Sequence, residues 1–389
     1  MLSWLIILPL LVFTFRRVIL TLGAVSHKKS LRIWSADPSA FRVLVCIPAR
    51  NEATTLSPLL EALSEMITLD GTVDLVLLND ASTDNTQLVF DEYAADRSNW
   101  KSVSVDELVG KASLLNLALH TFPAYEILVV FDADDRPEKN ALAYLLSAFD
   151  DPKVGAVSGR RRVDIGIGAW SARYTALEAN IHQNITMRGK ANLNLFPAIL
   201  GSNCAYRRAA LASIGDFVPN SLLEDSHITL QTALGGWETR FVPEAIATQT
   251  APQSLGAYWR QHVRWGVGFN QIAGAHVWKI LRAKSLHWLQ RLELTLFSLG
   301  YLDRVFVLGA GVWLGFVNWE PFLALVLGFH LFFPFVQVIV SFWIEKRPWL
   351  AWLDIFVLPV FYLIDLSAAV YSAFWHGILK RPVVWETRS

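Results

Sequence analysis

The chain has 389 residues, of which 53% are hydrophobic and 17% charged, with 34 basic residues balancing 34 acidic ones. A neutral balance gives no support to a polyanion binder, so nucleic acid is excluded as a partner. Mean hydropathy of +0.36 is high for a soluble protein, and the two cysteines, Cys46 and Cys204, are too few for a disulfide framework or a Cys-rich metal site and suit a reducing compartment.

Residues 2–15 are apolar and uncharged, Arg16-Arg17 follow, and a second apolar run reaches Val25 before Lys28, Lys29 and Arg32. A cleaved signal peptide carries its positive charge ahead of the apolar run. Here the charge comes after it, which predicts an N-terminal anchor helix over residues 1–25 whose C-terminal end is cytoplasmic. The first run, 14 residues long, is short of the roughly 20 needed for a span, so Arg16 and Arg17 must snorkel or the helix must lie shallow.

Residues 40–270 read as one α/β domain. Continuous apolar runs at 42–48, 73–78 and 126–131 are buried-type strands, and helical patterns at 55–66, 85–97 and 111–121 separate them. Such alternation implies a mostly parallel sheet covered on both faces, with ligands bound beyond the carboxyl ends of the strands. Polar residues stand at those ends: Arg50-Asn51-Glu52, Asn79-Asp80, and Asp132-Ala133-Asp134.

Each motif has a plain reading beside a chemical one. Asp80 through Thr86 suits a turn and a helix cap, or Asp80 accepts a hydrogen bond from a base or a ribose. The Asp132-Ala133-Asp134-Asp135 run is an acidic loop, or its mutual repulsion is relieved by a cation, with oxygen ligands that suit Mg²⁺ or Mn²⁺. Glu224-Asp225 opens a helical pattern, where the helix dipole favours acids. One of the two carboxylates could instead take the proton of an attacking hydroxyl. Gln261-His262-Val263-Arg264-Trp265 places Gln261, Arg264 and Trp265 on one helix face. That face suits a membrane interface, or a pyrophosphate on Arg264 and a sugar ring on Trp265. Lys111, after Gly110, reaches a phosphate or is solvated. His182, His227, His262 and His276 are not spaced as a metal site.

The C-terminal third is membrane-like. Twelve of the 16 tryptophans lie at or after Trp237, and aromatic residues of this kind gather at membrane–water interfaces. Interfacial helices are expected over 271–295 and three transmembrane helices over 296–376, followed by a tail over 377–389. Residues 321–343 carry no charge and are the clearest span. Residues 297–317 include Asp303 and Arg304, and residues 350–375 include Asp354 and Asp365. Each would cost about 2.5–3.5 kcal/mol at a bilayer centre, so these charges are expected to face other helices or the interface. With a cytoplasmic catalytic domain, three spans put Lys380, Arg381 and Arg388 outside, against the positive-inside rule. An in-plane first or second segment removes that conflict.

Taken together, Pro48-Ala49-Arg50-Asn51-Glu52, Asp80-x-x-x-Asp84, Gly110-Lys111, Asp132-x-Asp134, the segment from Gly201 to Arg208, Glu224-Asp225 and Gln261-x-x-Arg264-Trp265 resemble the membrane-bound family 2 glycosyltransferases with the GT-A fold. The family includes synthases of cellulose, chitin, hyaluronan and poly-N-acetylglucosamine type, and lipid glycosyltransferases similar to ceramide glucosyltransferase. The resemblance implies a Rossmann-like mixed or parallel sheet with flanking transmembrane helices, in the plasma or inner membrane. It implies a UDP-sugar donor, a lipid or polysaccharide acceptor, contact with membrane lipid, and Mg²⁺ or Mn²⁺ on the diphosphate. By the same resemblance Asp225, next to Glu224, is the general base. Asn51, Glu52, Asp80, Lys111, Asp132, Asp134 and Arg264 contact the donor, with Asp132 and Asp134 holding the metal. Gly201, Ser202, Asn203, Gln261 and Trp265 line the acceptor side. Leu223 departs from the pattern, standing where Thr often precedes the Glu-Asp pair. Two other classes share parts of this pattern: a nucleotidyltransferase that makes nucleotide-sugars, and a membrane scaffold or transporter with a vestigial nucleotide-sugar site. The first has no need of Gln261-x-x-Arg264-Trp265. Asp303, Arg304, Asp354 and Asp365 are too scattered to mark the second's pathway.

Overall fold

The computed structural model describes residues 2–26, 41–67, 72–164, 170–252, 254–347 and 349–380. Lys28, Lys29, Arg32, Arg381 and Arg388, used above for topology, lie outside them. In chain order, helix α1 (Trp4–Val25) is followed by β1 (Val43–Ala49), α2 (Leu56–Met66), β2 (Val73–Asp80), α3 (Thr86–Ala94), β3 (Trp100–Val105), α4 (Lys111–Thr121), β4 (Ile127–Val130), β5 (Arg136–Pro137), α5 (Ala141–Ser147) and β6 (Val154–Asp164). Then come α6 (Trp170–Asn180), a π-helical stretch (Ile181–Met187), α7 (Arg188–Asn192), β7 (Cys204–Arg207), α8 (Arg208–Ile214), α9 (Glu224–Leu234) and β8 (Glu238–Thr250). The helices α10 (Leu255–Arg282), α11 (Trp288–Ser298), α12 (Leu302–Val312), α13 (Pro321–Glu345) and α14 (Leu358–Tyr371) complete the chain. These elements form two compact units: Lys28–Arg162 with Phe196–Thr250, and Met1–His27 with Val163–Leu195 and Ala251–Ser389.

The first unit is built on an eight-stranded sheet of order β3-β2-β1-β4-β7-β6-β8-β5. Strands β3, β2, β1 and β4 are parallel, whereas β7 runs antiparallel to β4 and β6, and β5 antiparallel to β8. Alternate residues of β1 feed opposite faces, as the two-residue period requires. Val43, Val45 and Ile47 pack with Leu59, Leu60 and Leu63 of α2 and with Leu142 and Leu145 of α5. Leu44 and Cys46 pack with Leu114, Leu115 and Ala118 of α4 and with Ile228 of α9. Each fully buried Leu of this kind contributes about 1.5–3 kcal/mol. Both cysteines are free and buried in the second face. The antiparallel half was not expected in detail. It matters because Val130 pairs with Cys204, so the start of β7 lies at the same sheet edge as the end of β4, and the segment leading into β7 meets the strand-end loops.

The second unit is helical. Among the described residues, three of its helices are long and apolar enough to cross a membrane: Trp4–Val25, Pro321–Glu345, and the continuous stretch Trp352–Ile378 that contains α14. Helix α1 runs through Arg16-Arg17 and is 22 residues long. Arg16 meets Glu293 of α11 at 2.7 Å, Arg17 meets Asp303 of α12 at 2.8 Å, and the fully buried Lys190 lies 3.0 Å from the same Glu293. The segment expected as one span over 297–317 contains a break. The chain breaks between α11 and α12, and Trp288–Ser298 is bent by 70° against Leu302–Val317. Asp303 pairs with Arg304 as well, and Asp354 with Arg173, so these charges face partners. Small residues allow the closest approaches. A Cβ at Gly189 of α7 would lie 2.2 Å from the Leu20 carbonyl oxygen of α1, so only glycine fits there.

Candidate active site

The loops after β1 and β2 are sewn together before any ligand is considered. The Asn51 side-chain oxygen accepts from the Thr83 amide at 2.8 Å, and the Asn51 amide donates to Ser82 Oγ. The Glu52 amide donates to Thr86 Oγ1 at 2.8 Å, and its carboxylate accepts from Thr55 Oγ1. Asp84 caps the turn by accepting from the Ala53 and Thr86 amides. Asp80, at the end of β2 and buried, accepts from the Val109 amide at 2.9 Å and the Gly110 amide at 3.0 Å, one on each carboxylate oxygen. It thereby fixes the turn from which α4 begins, with Lys111 as the first helical residue.

Lys111 is the hub of the arrangement. Its Nζ lies 2.6 Å from Asp132 Oδ1, donates to the Gly201 carbonyl at 2.8 Å, and sits 3.8 Å from Glu224 Oε1. Burial favours loss of its proton, but Asp132 and Glu224 override that and hold its pKa above the ordinary lysine value. One ammonium thus joins the end of β4, the loop before β7 and the start of α9. The acidic run after β4 alternates in exposure: Asp132 and Asp134 are part-exposed, whereas Ala133 and Asp135 are buried. Asp132 and Asp134 thus share the part-exposed side of the run, and Asp135 lies on its buried side. Asp135 turns inward, accepting from the Asp132 amide and from Gln249 Nε2. Burial, followed by the neighbouring Asp132 and Asp134, pushes its pKa up to about 7.

Glu224 and Asp225 open α9. Helix α9 is tied to the acceptor-side segment by Thr229, whose Oγ1 donates to the Asp225 carbonyl and accepts from the Ile199 amide. This brings Gly201 against Asp225: a Cβ on Gly201 would stand 3.0 Å from Asp225 Oδ2, and Gly201 has φ +78°. Asp225 Oδ1 accepts from the Ser226 amide at 2.6 Å. Burial raises the Asp225 pKa above the usual carboxylate range, against the lowering pull of Arg161 and that amide. Burial raises Glu224 too, with Lys111 opposing and Asp225 adding to the rise. Ser202 and Asn203 are fully buried. Ser202 Oγ accepts from Gln249 Nε2 at 2.7 Å, and Asn203 Nδ2 donates to the Arg160 and Ala245 carbonyls. Their side chains set the shape of the loop, and Gly201 is the member of the trio that meets the general-base candidate.

The geometry therefore gathers Lys111, Asp132, Gly201, Glu224 and Asp225 at one sheet edge, with Asp80 fastening the loop that delivers Lys111. The family model for "Glycosyltransferase like family 2" matches residues 39–268, more than half of the chain. The chain belongs to this family. Among its relatives, the probable glycosyltransferase YdaM of Bacillus subtilis (strain 168) is 26% identical over 360 residues, covering 88% of this chain and 86% of the relative. The poly-beta-1,6-N-acetyl-D-glucosamine synthase of Staphylococcus epidermidis is 26% identical over 242 residues, 61% of this chain and 56% of the synthase. Among solved structures, the mannosyltransferase PcManGT from Pyrobaculum calidifontis, in complex with GDP-Man and Mn²⁺, superposes with a TM-score of 0.60 at 22% identity, covering 95% of this chain and 98% of the other. The fold is GT-A, and the protein is a family 2 glycosyltransferase, which sets aside the nucleotidyltransferase and scaffold readings.

The remaining expected residues of the glycosyltransferase lie in the helical unit. Gln261, Arg264 and Trp265 are part-exposed on α10. His262 beside them is fully buried, and its ring packs edge-on against Trp265 with centroids 4.7 Å apart. Asp132 and Asp134 share the part-exposed face of their loop and offer hard oxygen ligands, a set that fits Mg²⁺ or Mn²⁺. Glu178, His262 and Asp365 also cluster, with side-chain atoms within 4.8 Å of one another, but the two imidazole nitrogens face different carboxylates, an ion-pair geometry that the spacing of the histidines alone did not reveal. Sequence reasoning also missed Gln249 and Arg161. They lie on β8 and β6, strands too polar to stand out as apolar runs.

Proposed function

We propose that this glycosyltransferase moves a sugar from a UDP-sugar to a hydroxyl of a membrane-associated acceptor, a lipid or a growing polysaccharide, with inversion at the anomeric carbon. The observation that carries the proposal is the Lys111 hub, which sets the Asp132 strand end beside Asp225 at the start of α9. The acceptor class rests on the long apolar helices of the chain and on the staphylococcal relatives named as poly-β-1,6-N-acetyl-D-glucosamine synthases.

In this reading Asp225 takes the proton of the acceptor hydroxyl as its oxygen attacks the anomeric carbon. The new carbon–oxygen bond forms as the bond to the diphosphate breaks, and UDP leaves with the electron pair. Raising the pKa of a carboxylate by burial makes it a stronger base, which suits that role. Asp132 and Asp134 would hold the Mg²⁺ or Mn²⁺, and a divalent cation there would offset the charge of the diphosphate. The Lys111 ammonium adds a fixed positive charge at the same strand end, and Glu224 keeps it in place. The sewn loop of Asn51 and Glu52 and the turn held by Asp80 receive the nucleoside. Asp80 does so with the lone pairs that the Val109 and Gly110 amides leave free. Gln261, Arg264 and Trp265 take their part from the family motif: an amide and a guanidinium for the donor phosphates, and a flat indole for a sugar ring. The catalytic unit would face the cytoplasm of the inner or plasma membrane, where nucleotide-sugars are available.

The test is a panel of radiolabelled UDP-sugars, with GDP-mannose alongside, given to the full chain in lipid with Mg²⁺ or Mn²⁺ and followed by organic extraction. Label in the organic phase identifies a lipid acceptor, and label in a large aqueous product identifies a polysaccharide. Transfer from GDP-mannose alone, or no transfer from any donor when lipid and polymer primers are both supplied, contradicts the proposal.

A further inference from the structure

His262 is out of place on a surface helix. Gln261, Arg264 and Trp265 beside it are part-exposed, yet its own side chain is fully buried among groups from three other parts of the helical unit. Its Nε2 lies 3.3 Å from Glu178 Oε2 of α6, and its Nδ1 lies 3.1 Å from Asp365 Oδ1 of α14. The Tyr301 hydroxyl, just before α12, is 3.0 Å from the same Nδ1. Tyr258, one turn earlier on α10, donates to Asp365 Oδ1 at 2.7 Å, and Tyr174 of α6 donates to Asp365 Oδ2 at 3.3 Å. Arg304 stands 3.8 Å from Asp365 but meets Asp303 at 2.9 Å. The ring of His262 also packs on Tyr258, with centroids 4.1 Å apart, and on Trp265.

The two ring nitrogens thus face two different carboxylates. A neutral imidazole has one N–H and would turn a lone pair toward one of them; the imidazolium donates from both. A single metal ion could use only one of the nitrogens, and the Tyr258 hydroxyl already occupies the Asp365 oxygen that faces the other. We propose that His262, as an imidazolium held between Glu178 and Asp365, is a positioning residue that locks the Gln261–Arg264–Trp265 face of α10 to α6 and α14. The clamp acts through the backbone of one helical turn and through the His262–Trp265 ring contact. It touches neither donor nor acceptor. It rests on the reading that this face serves sugar transfer.

The groups facing His262 are Glu178, Asp365, Tyr174, Tyr258, Tyr301 and Arg304, with His182 acting on Glu178. Burial lowers the imidazole pKa, but Glu178 and then Asp365 outweigh it and Arg304, so the pKa stands above the ordinary histidine value. The cation therefore persists to higher pH than that of an ordinary histidine and is lost as pH rises further.

The experiment is the pH profile of sugar transfer by the full chain in lipid, between about pH 6 and pH 9, for the unmodified protein, His262→Gln, Glu178→Gln and Trp265→Ala. The unmodified protein is expected to lose kcat as pH rises through the imidazolium pKa, with the donor KM little changed. His262→Gln is expected to lower kcat about tenfold, the scale of a misplaced but intact site, and to abolish the alkaline limb. Glu178→Gln should move that limb to lower pH, because the imidazolium loses one of its two carboxylates. A flat alkaline profile in the unmodified protein, or an unaltered rate and limb in His262→Gln, overturns the clamp. So does stoichiometric metal in the purified protein that disappears with His262→Gln. Should His262→Gln fail to fold, the Glu178→Gln limb decides: an unshifted limb overturns the clamp. Normal transfer by Trp265→Ala overturns instead the reading beneath it, in which the α10 face serves catalysis.

Discussion

Gly201 and Asp225 share a contact that leaves no room for a side chain. With φ at +78° and a hypothetical Cβ 3.0 Å from the Asp225 carboxylate, Gly201→Ala is strained twice over. The backbone term costs about 1–2 kcal/mol, and the contact pushes the carboxylate off its position. Gly201→Ala should lower the melting temperature and cut turnover at least about tenfold, the scale expected when a catalytic group is displaced; unchanged kcat would show that Asp225 is not poised there. The raised Asp225 pKa has a definite sign in kinetics. As the proposed base, Asp225 must act deprotonated, so activity should fall as pH drops through a value above the usual aspartate pKa of about 3.9. A kcat/KM profile with no acid limb above that value would remove Asp225 from the base role. Asp134 shares the part-exposed face of the acidic run with Asp132. Asp134→Ala should therefore abolish transfer or its response to added Mg²⁺ or Mn²⁺ in a metal-titration assay.

At the scale of elements, the sequence was most readable where burial is complete. Strands β1, β2 and β4 are continuous apolar runs because both faces are covered, and their acid-bearing ends followed directly. Strand β3 is an edge strand whose outward residues Lys101 and Ser102 are exposed, and β8 carries Glu238, Arg240 and Gln249, so neither produces an apolar run. The hub at Lys111 was visible as a basic residue after Gly110, but nothing in the spacing linked it to Gly201 or Glu224. The Glu178–His262–Asp365 group was invisible for the same reason: its members come from three helices far apart in sequence. Charge inside the apolar segments was readable, its partners were not. Arg16 and Arg17 stood out as charges within the anchor helix, and Glu293 and Asp303 are the partners that the sequence did not reveal. The meeting of α1 and α7 depends on Gly189, where a Cβ would lie 2.2 Å from a backbone oxygen that cannot give way. Gly189→Ala should cost about 1–3 kcal/mol, the range for overpacking. It should show as a lower melting temperature in detergent with the donor-binding constant little altered. An unshifted melting temperature would mean that α1 and α7 are packed less closely.

At the scale of the whole molecule, a GT-A unit of family 2 and a helical unit with membrane-length helices are carried by one chain. The helical unit leaves Phe322, Leu325, Phe329, Phe332 and Trp343 of α13 exposed, an apolar surface suited to lipid tails rather than water. That combination accounts for a hydrophobic content of 53% at zero net charge and suits the proposed transfer to an acceptor that stays with the membrane. The central claim is that Asp225 deprotonates that acceptor. It is tested most directly by the initial rate of sugar transfer by Asp225→Asn in lipid, at saturating donor and acceptor, with donor binding measured on the same sample. Loss of a general base costs about 10²–10⁴-fold, and the expected result is a rate lower by that factor with donor affinity kept. A rate within a few-fold of the unmodified enzyme would contradict the account.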